Sequence, residues 1–447
     1  MELTNITDWG KIKIEVEGGE KMEIGKYKKR IADEKIEHYL KLFGAVCIEG
    51  PKYCGKTWSG RYHSNSEILL HKTTGGTSNN VELAKISPSL ILQGEKPRLI
   101  DEWQEATNLW DEIRMDVDKT GEKGQYILTG SSTPNREGIA HSGAGRFGKI
   151  HLRTMSLWET GESSGDISLQ ELCQGKIQEK MTGEVSLKHL AELIVRGGWP
   201  GNLGYSAKDA SDAIKEYIDL IIDDDLQRLD GITRDKHKVR LLLKSLARNE
   251  STTVSNMTLK KDMNEVDHED IDIDTLASYL NALNKLYLLD NDPPFATNIR
   301  SSIRIKQAEK RHFADPSISC ALLGISEEER LINDLETFGF LFEALVERDL
   351  KIYADNFRAK CYHYQDYQNK EIDCVIELEN GEWCAFEIKL GANKIEEAAQ
   401  NLVNLKENIE KEKGKAPSVL CVICGLTNAV YQRPDGVYVV PLTALKP

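Results

Sequence analysis

Apolar residues along the chain occur in short continuous runs near the start, at three-to-four spacing through the middle, and in both patterns toward the end. "GAVCIEG" (Gly44–Gly50), "PRLIDEWQ" and "QYILTGSS" (Gln125–Ser132) are runs of strand length bounded by turn residues. Between the last two, "NLWDEIRMDVDKTG" has helical spacing. Strands and helices alternating in this way predict a parallel α/β sheet with its ligand site at the carboxyl ends of the strands. "LKHLAELIVRGGWP" and "AIKEYIDLIIDDDLQRLDG" then read as amphipathic helices, expected to form a helical lid packed on that core. "VRLLLKSLARNE" and "DTLASYLNALNKLYLLDND" predict two further helices, and "PPFATNIRSSIRIKQAEKRHFAD" predicts two short strands. Helix, turn, helix and hairpin in that order outline a winged helix. Its stripe of Leu276, Leu280, Leu283, Leu286 and Leu289 is expected in the core, which leaves few side chains to read bases. In the last third, "GFLFEALVERDL" predicts a helix, and "EIDCVIEL" and "EWCAFEIKLG" predict a strand pair. The pair is joined by "ENGE", where Asn380-Gly381 is a strong hairpin signal.

A chain of 447 residues exceeds one hydrophobic core, so two to four domains are expected. With 40% hydrophobic and 29% charged residues it has a globular composition. No apolar run approaches the roughly 20 residues that span a bilayer, and the start of the chain lacks the apolar centre of a signal peptide. A cytoplasmic protein with no membrane partner is expected. The nine cysteines are scattered, as suits a reducing compartment. Cys421 and Cys424 form one C-x-x-C inside the apolar "SVLCVICGL", without a second ligand pair, and are expected to be buried strand residues rather than zinc ligands.

A net charge of −14 argues against non-specific coating of nucleic acid but leaves room for a local basic face. Candidates are Lys236, Lys238, Arg240, Lys244, Arg248, Lys260, Lys261, Arg300, Arg304, Lys306, Lys310 and Arg311. Their lysines and arginines point to DNA contacts through phosphates rather than bases. A rigid protein-binding module is the alternative reading of the same helices.

"GPKYCGKT" matches G-x-x-x-x-G-K-[ST], the phosphate-loop pattern, across Gly50, Pro51, Lys52, Tyr53, Cys54, Gly55, Lys56 and Thr57. The glycines allow a tight loop whose N–H groups face phosphate oxygens, and the following helix adds its positive end. Lys56 is expected at the β- and γ-phosphates and the Thr57 hydroxyl on Mg²⁺. Asp101 suits the magnesium side of the site, and Glu102 suits activation of the attacking water. Ser131, with Thr129 in reserve, could sense the γ-phosphate. Arg146, after a glycine-rich turn, is either an arginine finger for a neighbouring subunit or a structural loop residue.

"RIADEKIEHYLKLFGAVCIEGPKYCGKTW", "LIDEWQ", "ILTGSS", "HSGAGRFGKIHLRTMSLWETGESSG" and "VRGGWPGNL" together resemble a family of AAA-type ATPases of bacteria and archaea. The resemblance continues through "FGFLFEALVERDLKIYADNF" and the Glu-x-Lys strand, so it covers most of residues 25–410. Members join a phosphate-loop ATPase to a C-terminal domain of nuclease-like fold, and their biological role is poorly defined. The resemblance implies ATP binding and this domain order, but no substrate.

Glu387 and Lys389, two apart on a strand, share a face. Asp373 lies on the partner strand, Glu343 on the preceding helix and Gln400 on the helix that follows. Helix acid, strand aspartate and Glu-x-Lys is the PD-(D/E)xK nuclease arrangement. Glu343, Asp373 and Glu387 would hold Mg²⁺ or Mn²⁺, because crowded carboxylates want a cation. Lys389 would orient water or stabilise developing charge.

The expected fold is thus α/β: a P-loop AAA-type ATPase with helical lid, a winged helix and a restriction-endonuclease-like α/β domain. The expected bounds are 1–24 for an N-terminal extension, 25–160 for the ATPase core, 161–230 for the lid, 231–325 for the winged helix and 326–447 for the nuclease-like domain. The expected function is hydrolysis of ATP with Mg²⁺, binding of DNA and its metal-dependent cleavage. One alternative is an ATP-driven switch that binds DNA or a protein partner and cuts nothing. Another is a signalling scaffold that uses nucleotide only to change shape. A homo-oligomer is an expectation tied to Arg146.

Overall fold

Val46, Ile48, Leu99, Ile100, Ile127 and Leu128 are completely shielded from water, and their runs form the central strands of the first of two large sheets. The computed structural model describes residues 9–15, 21–70, 73–74, 78–133, 141–267, 271–297, 307–365, 370–411 and 414–447. The chain divides into two compact units. The first comprises Met1–Thr154 with Leu226–Ile232 and Lys285–Tyr287, and the second comprises Met155–Asp225, Thr233–Asn284 and Leu288–Pro447.

In the first unit the elements are β1 (Trp9–Glu15), β2 (Lys21–Lys28), α1 (Ala32–Leu42), β3 (Ala45–Glu49), α2 (Lys56–Tyr62), β4 (Ser66–Leu69), β5 (Arg98–Asp101), α3 (Leu109–Thr120), β6 (Tyr126–Gly130) and β7 (Phe147–His151). The sheet order is β2-β1-β4-β5-β6-β3-β7, with every pairing from β4 to β7 parallel. Strand alternation splits the core. Val46, Ile48, Leu99 and Ile127 pack with Ile36 of α1, while Ala45, Cys47, Ile100 and Leu128 pack with Trp110, Ile113 and Val117 of α3. Within and just beyond the stretch expected as an N-terminal extension, β1 pairs antiparallel with β2 and joins β4 at Glu15↔Ser66. The run "KIKIEVE" alternates at the strand period, which accounts for β1.

The second unit contains β8 (Lys180–Met181), α4 (Leu187–Arg196), α5 (Ala207–Leu220), α6 (Lys236–Arg248), α7 (Asn256–Asp267), α8 (Ile273–Lys285), α9 (Pro316–Leu322), α10 (Leu335–Asn356), β9 (Lys360–Gln365), β10 (Glu371–Glu377), β11 (Trp383–Lys389), α11 (Ile395–Lys411), β12 (Val419–Cys424), β13 (Ala429–Gln432) and β14 (Tyr438–Pro441). The two helices expected as a lid on the ATPase core belong here. α4 packs on α5, both pack on α9, and α4 also meets α10. Leu190, Leu193, Ile194, Ile214 and Ile218 on their apolar stripes are buried.

The "GGWP" turn after α4 is pinned by polar groups. Trp199 Nε1 donates to Ser317 Oγ at 2.9 Å, and Gly198 N donates to Asp315 Oδ2 at 3.0 Å. A Cβ on Gly198 would sit 2.1 Å from the Met155 carbonyl oxygen, so no other residue fits there. Arg348 of α10 closes the arrangement, donating to Asp315 at 3.0 Å and to Asp349 at 2.7 Å, while Asp349 accepts the Leu157 N–H at 2.9 Å. All three charges are buried. Arg348→Met leaves two buried carboxylates without their cation and is expected to cost about 3–5 kcal/mol. A denaturant midpoint within error of the wild type would show that the triad does not hold the fold.

After α6, α7 and α8 the chain returns as a ribbon. Leu289 pairs with Phe313, Asp292 with Lys310 and Thr252 with Arg311, all antiparallel. Arg300, Arg304 and Lys306 lie outside the described residues. The five leucines expected as a core stripe are buried. The last sheet runs β8-β13-β14-β12-β11-β10-β9, parallel where β11, β12 and β14 meet and antiparallel elsewhere. α11 lays Ile395, Ala398 and Leu402 on Val375, Ala385 and Val422.

Candidate functional site

The loop between β3 and α2 is shaped by its glycines. Gly55 sits in the left-handed region at φ 102°, and a Cβ on Gly50 would meet the Leu152 carbonyl oxygen at 2.1 Å. Buried Arg30 anchors the loop from below, donating to the carbonyls of Cys54 at 2.9 Å and Arg153 at 2.9 Å. Cys54 Sγ donates to Leu152 O at 3.3 Å, while Tyr53 stands exposed at the rim. The Lys56 ammonium is buried and donates to Pro51 O at 2.7 Å, inside the loop whose phosphate it is expected to meet.

The strand order then does chemical work. β6 lies between the loop strand β3 and the acid strand β5, so the end of β6 faces both. Thr57 Oγ1 donates to Asp101 Oδ1 at 2.9 Å, and Thr129 also donates to Asp101. Burial raises the Asp101 pKa. A hydroxyl and a carboxylate held together at the start of α2 fit a magnesium ion that travels with nucleotide. Glu102 adopts the left-handed region at φ 57°, uncommon for a residue with a side chain. Ser131 Oγ donates to Glu102 Oε2 at 2.9 Å, and Gln104 donates to the same oxygen and to Ser131 at 3.3 Å. Ser131 therefore meets the second acid and Thr129 the first. Gln104 was not singled out in the sequence; its place two residues after Glu102 in "DEWQ" was the available signal.

Arg146 lies at the other end of the sheet. It precedes β7, where Phe147 is level with Ala45, whereas the loop follows Glu49, level with His151. Four residue steps make about 13 Å between these levels. Its Nε bonds Asp118 Oδ1 at 2.7 Å, with both side chains partly exposed. Arg146 cannot attend the loop of its own chain.

In the second unit, Asp373, Glu387 and Lys389 come together. Lys389 Nζ lies 2.9 Å from Asp373 Oδ2 and 2.6 Å from Glu387 Oε2, and Ile388 N donates to Asp373 Oδ2 at 2.7 Å. Burial and the charge of Asp373 push the Glu387 carboxyl up to about 8, although Lys389 opposes this. Against its own desolvation, Lys389 is held protonated by the same two acids.

Glu343 lies beside them but has another partner. Lys310, expected on a solvent-facing basic surface, is buried and pairs with both Glu343 and Glu347, the latter at 2.6 Å, while donating to Asp373 O at 3.0 Å. Burial raises Glu343 to about 8, with Lys310 lowering it and Asp373 raising it. Gln400, also expected near the site, is exposed and bonds Asn404 at 3.0 Å on its own helix.

Behind Lys310 is a network that sequence reasoning missed. His312 lies 3.1 Å from Glu250 through Nδ1 and 2.5 Å from Glu347 through Nε2, and Lys351 lies 3.0 Å from Asp292. Asp292, His312 and Glu347 place one ligand atom each within 4.8 Å of the others. Lys310 on Glu347 and Lys351 on Asp292 make these groups part of a buried ion-pair network, in which Glu347 and Glu250 raise the His312 pKa to about 9 against its burial.

The expected basic face is largely compensated. Lys236 pairs with Asp223 at 2.8 Å, Arg240 with Asp219 at 2.7 Å and Arg248 with Asp262 at 2.7 Å. Arg311 turns inward to Asn256 at 2.8 Å. Cys421 and Cys424 are buried and free. Among the described residues, no helix is long and apolar enough to cross a membrane.

Three family models match successive segments: an AAA domain over residues 43–161, a domain of unknown function (DUF8612) over 187–329 and another (DUF4143) over 338–445. The chain is similar to uncharacterized proteins of Mycobacterium tuberculosis and Mycobacterium bovis, each 25% identical over 366 residues, which is 81% of this chain and 74% of theirs. Among solved structures it is similar to a Walker-type ATPase of Pyrococcus abyssi, with a TM-score of 0.41 and 15% identity, covering 65% of this chain and 94% of that one. The FIGL-1 AAA domain matches at a TM-score of 0.25 and 15% identity, over 57% of this chain and 83% of that one. Residues 43–161 are an AAA-type P-loop ATPase domain: the family model, the loop and the Thr57–Asp101 contact agree.

Proposed function

We propose that the chain hydrolyses ATP with Mg²⁺ in its first unit, and binds DNA and cleaves it through a restriction-endonuclease-like centre in its second. In the first unit Lys56 meets the β- and γ-phosphates, Thr57 and Asp101 hold the magnesium side, and Glu102 takes the proton of the attacking water. Ser131 and Gln104 keep the Glu102 carboxylate aimed.

The observation that carries the second half is the joining of Asp373 and Glu387 by Lys389, at 2.9 and 2.6 Å. Asp373 and Glu387 would hold Mg²⁺ or Mn²⁺, which supplies Lewis-acid polarisation and acidifies bound water. The Lys389 ammonium orients the nucleophile and balances charge on the phosphate. The helices α6 to α8 and their ribbon follow the winged-helix order and would bring backbone phosphates alongside. The test is incubation with supercoiled plasmid and with single-stranded DNA, with ATP and Mg²⁺ or Mn²⁺. Nicking that requires the metal, with DNA affinity that falls steeply as salt rises, is expected. DNA that binds uncut supports instead an ATP-driven switch. The ion pairs of Lys236, Arg240 and Arg248 with aspartates favour that second reading, since they mute the face that would meet DNA.

Arg146 belongs to this proposal as a finger acting on a neighbouring subunit. Arg146→Ala is then expected to lower ATP turnover by roughly 10³-fold, with wild-type activity per chain rising with protein concentration. Turnover that is flat on dilution of a monomer would leave Arg146 as the structural partner of Asp118.

A further inference from the structure

We propose that Lys310 is a built-in cation of the acidic centre, taking Glu343 and Glu347 as its own partners and leaving Asp373 and Glu387 for one divalent ion. This rests on the metal-dependent reading given above. Lys310 comes from outside the segment that carries the centre: it lies on the ribbon opposite Asp292, and its side chain reaches α10 and β10. Glu343 and Glu347 are one turn apart on α10, so a single ammonium between them satisfies both, with its third proton donated to Asp373 O at 3.0 Å. All three donors of the ammonium are engaged.

Charge balance points the same way. Outside the centre, Glu250, Asp290 and Asp292 face His312 and Lys351, and His312 also reaches Glu347. The centre has Glu343, Glu347, Asp373 and Glu387 facing Lys310 and Lys389. The four carboxyl groups of the centre outnumber its two ammoniums, and a divalent ion on Asp373 and Glu387 would supply the missing positive charge. With Lys310 gone the same carboxylates face one ammonium, and the Glu343 side opens to a second ion. Such buried acids do not stand uncompensated.

The test is Mn²⁺ uptake by the full-length, nucleotide-free protein, followed by calorimetry and by the paramagnetic resonance of free Mn²⁺. The nucleotide site contributes equally to each variant, so the difference between variants is read. Lys310→Met is expected to take up one Mn²⁺ more than the wild type. Equal uptake overturns the proposal. Uptake that appears only in Lys310→Met keeps Lys310 as the built-in cation and removes the metal-dependent reading of the native centre, which separates the two ideas. Should Lys310→Met not fold, Glu343→Gln decides: Mn²⁺ affinity within about twofold of wild type supports the assignment of Glu343 to Lys310, and a loss of about tenfold or more makes Glu343 a ligand and overturns it.

Discussion

Glu102→Gln is expected to slow ATP turnover by about 10²-fold or more while nucleotide stays bound. The amide keeps the size and the hydrogen-bond geometry around Ser131 and Gln104 but cannot accept a proton. In the proposed reading nucleotide is held by other atoms, the loop N–H groups, Lys56 and the Thr57–Asp101 pair, whose hydrogen bonds do not involve the Glu102 carboxylate. Lys56→Ala is the complement, since it removes the fixed positive charge at the phosphates and should lose nucleotide itself. Phosphate release at saturating ATP, measured beside the affinity for a labelled nucleotide, separates the two. Equal turnover in wild type and Glu102→Gln would remove Glu102 from the chemistry.

The second large effect is expected at the other centre. Asp373→Asn or Glu387→Gln should abolish metal-dependent DNA cleavage while ATP hydrolysis stays near wild type, because no residue of the nucleotide site contributes to it. Lys389→Met should keep the carboxylate pair but suppress cleavage by about 10²–10³-fold, the usual loss when one preorganised charge or donor at a developing negative charge is removed. Nicked plasmid against time, with ATP turnover followed in the same tubes, reads both. Cleavage that survives Asp373→Asn unchanged would place the chemistry elsewhere or in a contaminant.

The parts legible in the sequence were those that local pattern determines. The stretches Ala45–Ile48 of "GAVCIEG" and Tyr126–Leu128 of "QYILTGSS" are continuously apolar because a parallel strand is covered on both faces, and Gly50 and Gly55 of "GPKYCGKT" mark a tight loop. Asp373, Glu387 and Lys389 could be brought together because a two-residue spacing and an Asn-Gly turn fix register over a short distance. Lys310 could not be placed, for its partners Glu343 and Glu347 lie on a later helix and nothing local separates a buried lysine from an exposed one. Glu347 itself sits in "VERD", which reads as a charged helix surface and is instead buried with its neighbours Arg348 and Asp349. The destination of the two amphipathic helices after residue 186 was illegible for a related reason: periodicity shows that a face is buried, not what buries it.

The ribbon that delivers Lys310 has a consequence for how the molecule can be dissected. β9 is the outermost strand of its sheet, and its free edge is taken by the segment from Pro293 to Phe295, with Phe295 N donating to His363 O at 2.7 Å and His363 N donating to Pro293 O at 3.1 Å. A fragment begun at the helix start near Asp334 would strip that cover and leave an open row of strand amides and carbonyls, which invites edge-to-edge aggregation. It would also lack Lys310, and with it the counter-charge of Glu343 and Glu347. An expressible C-terminal piece must therefore begin upstream of Leu288, and insolubility of a shorter one would reflect the cut rather than the domain.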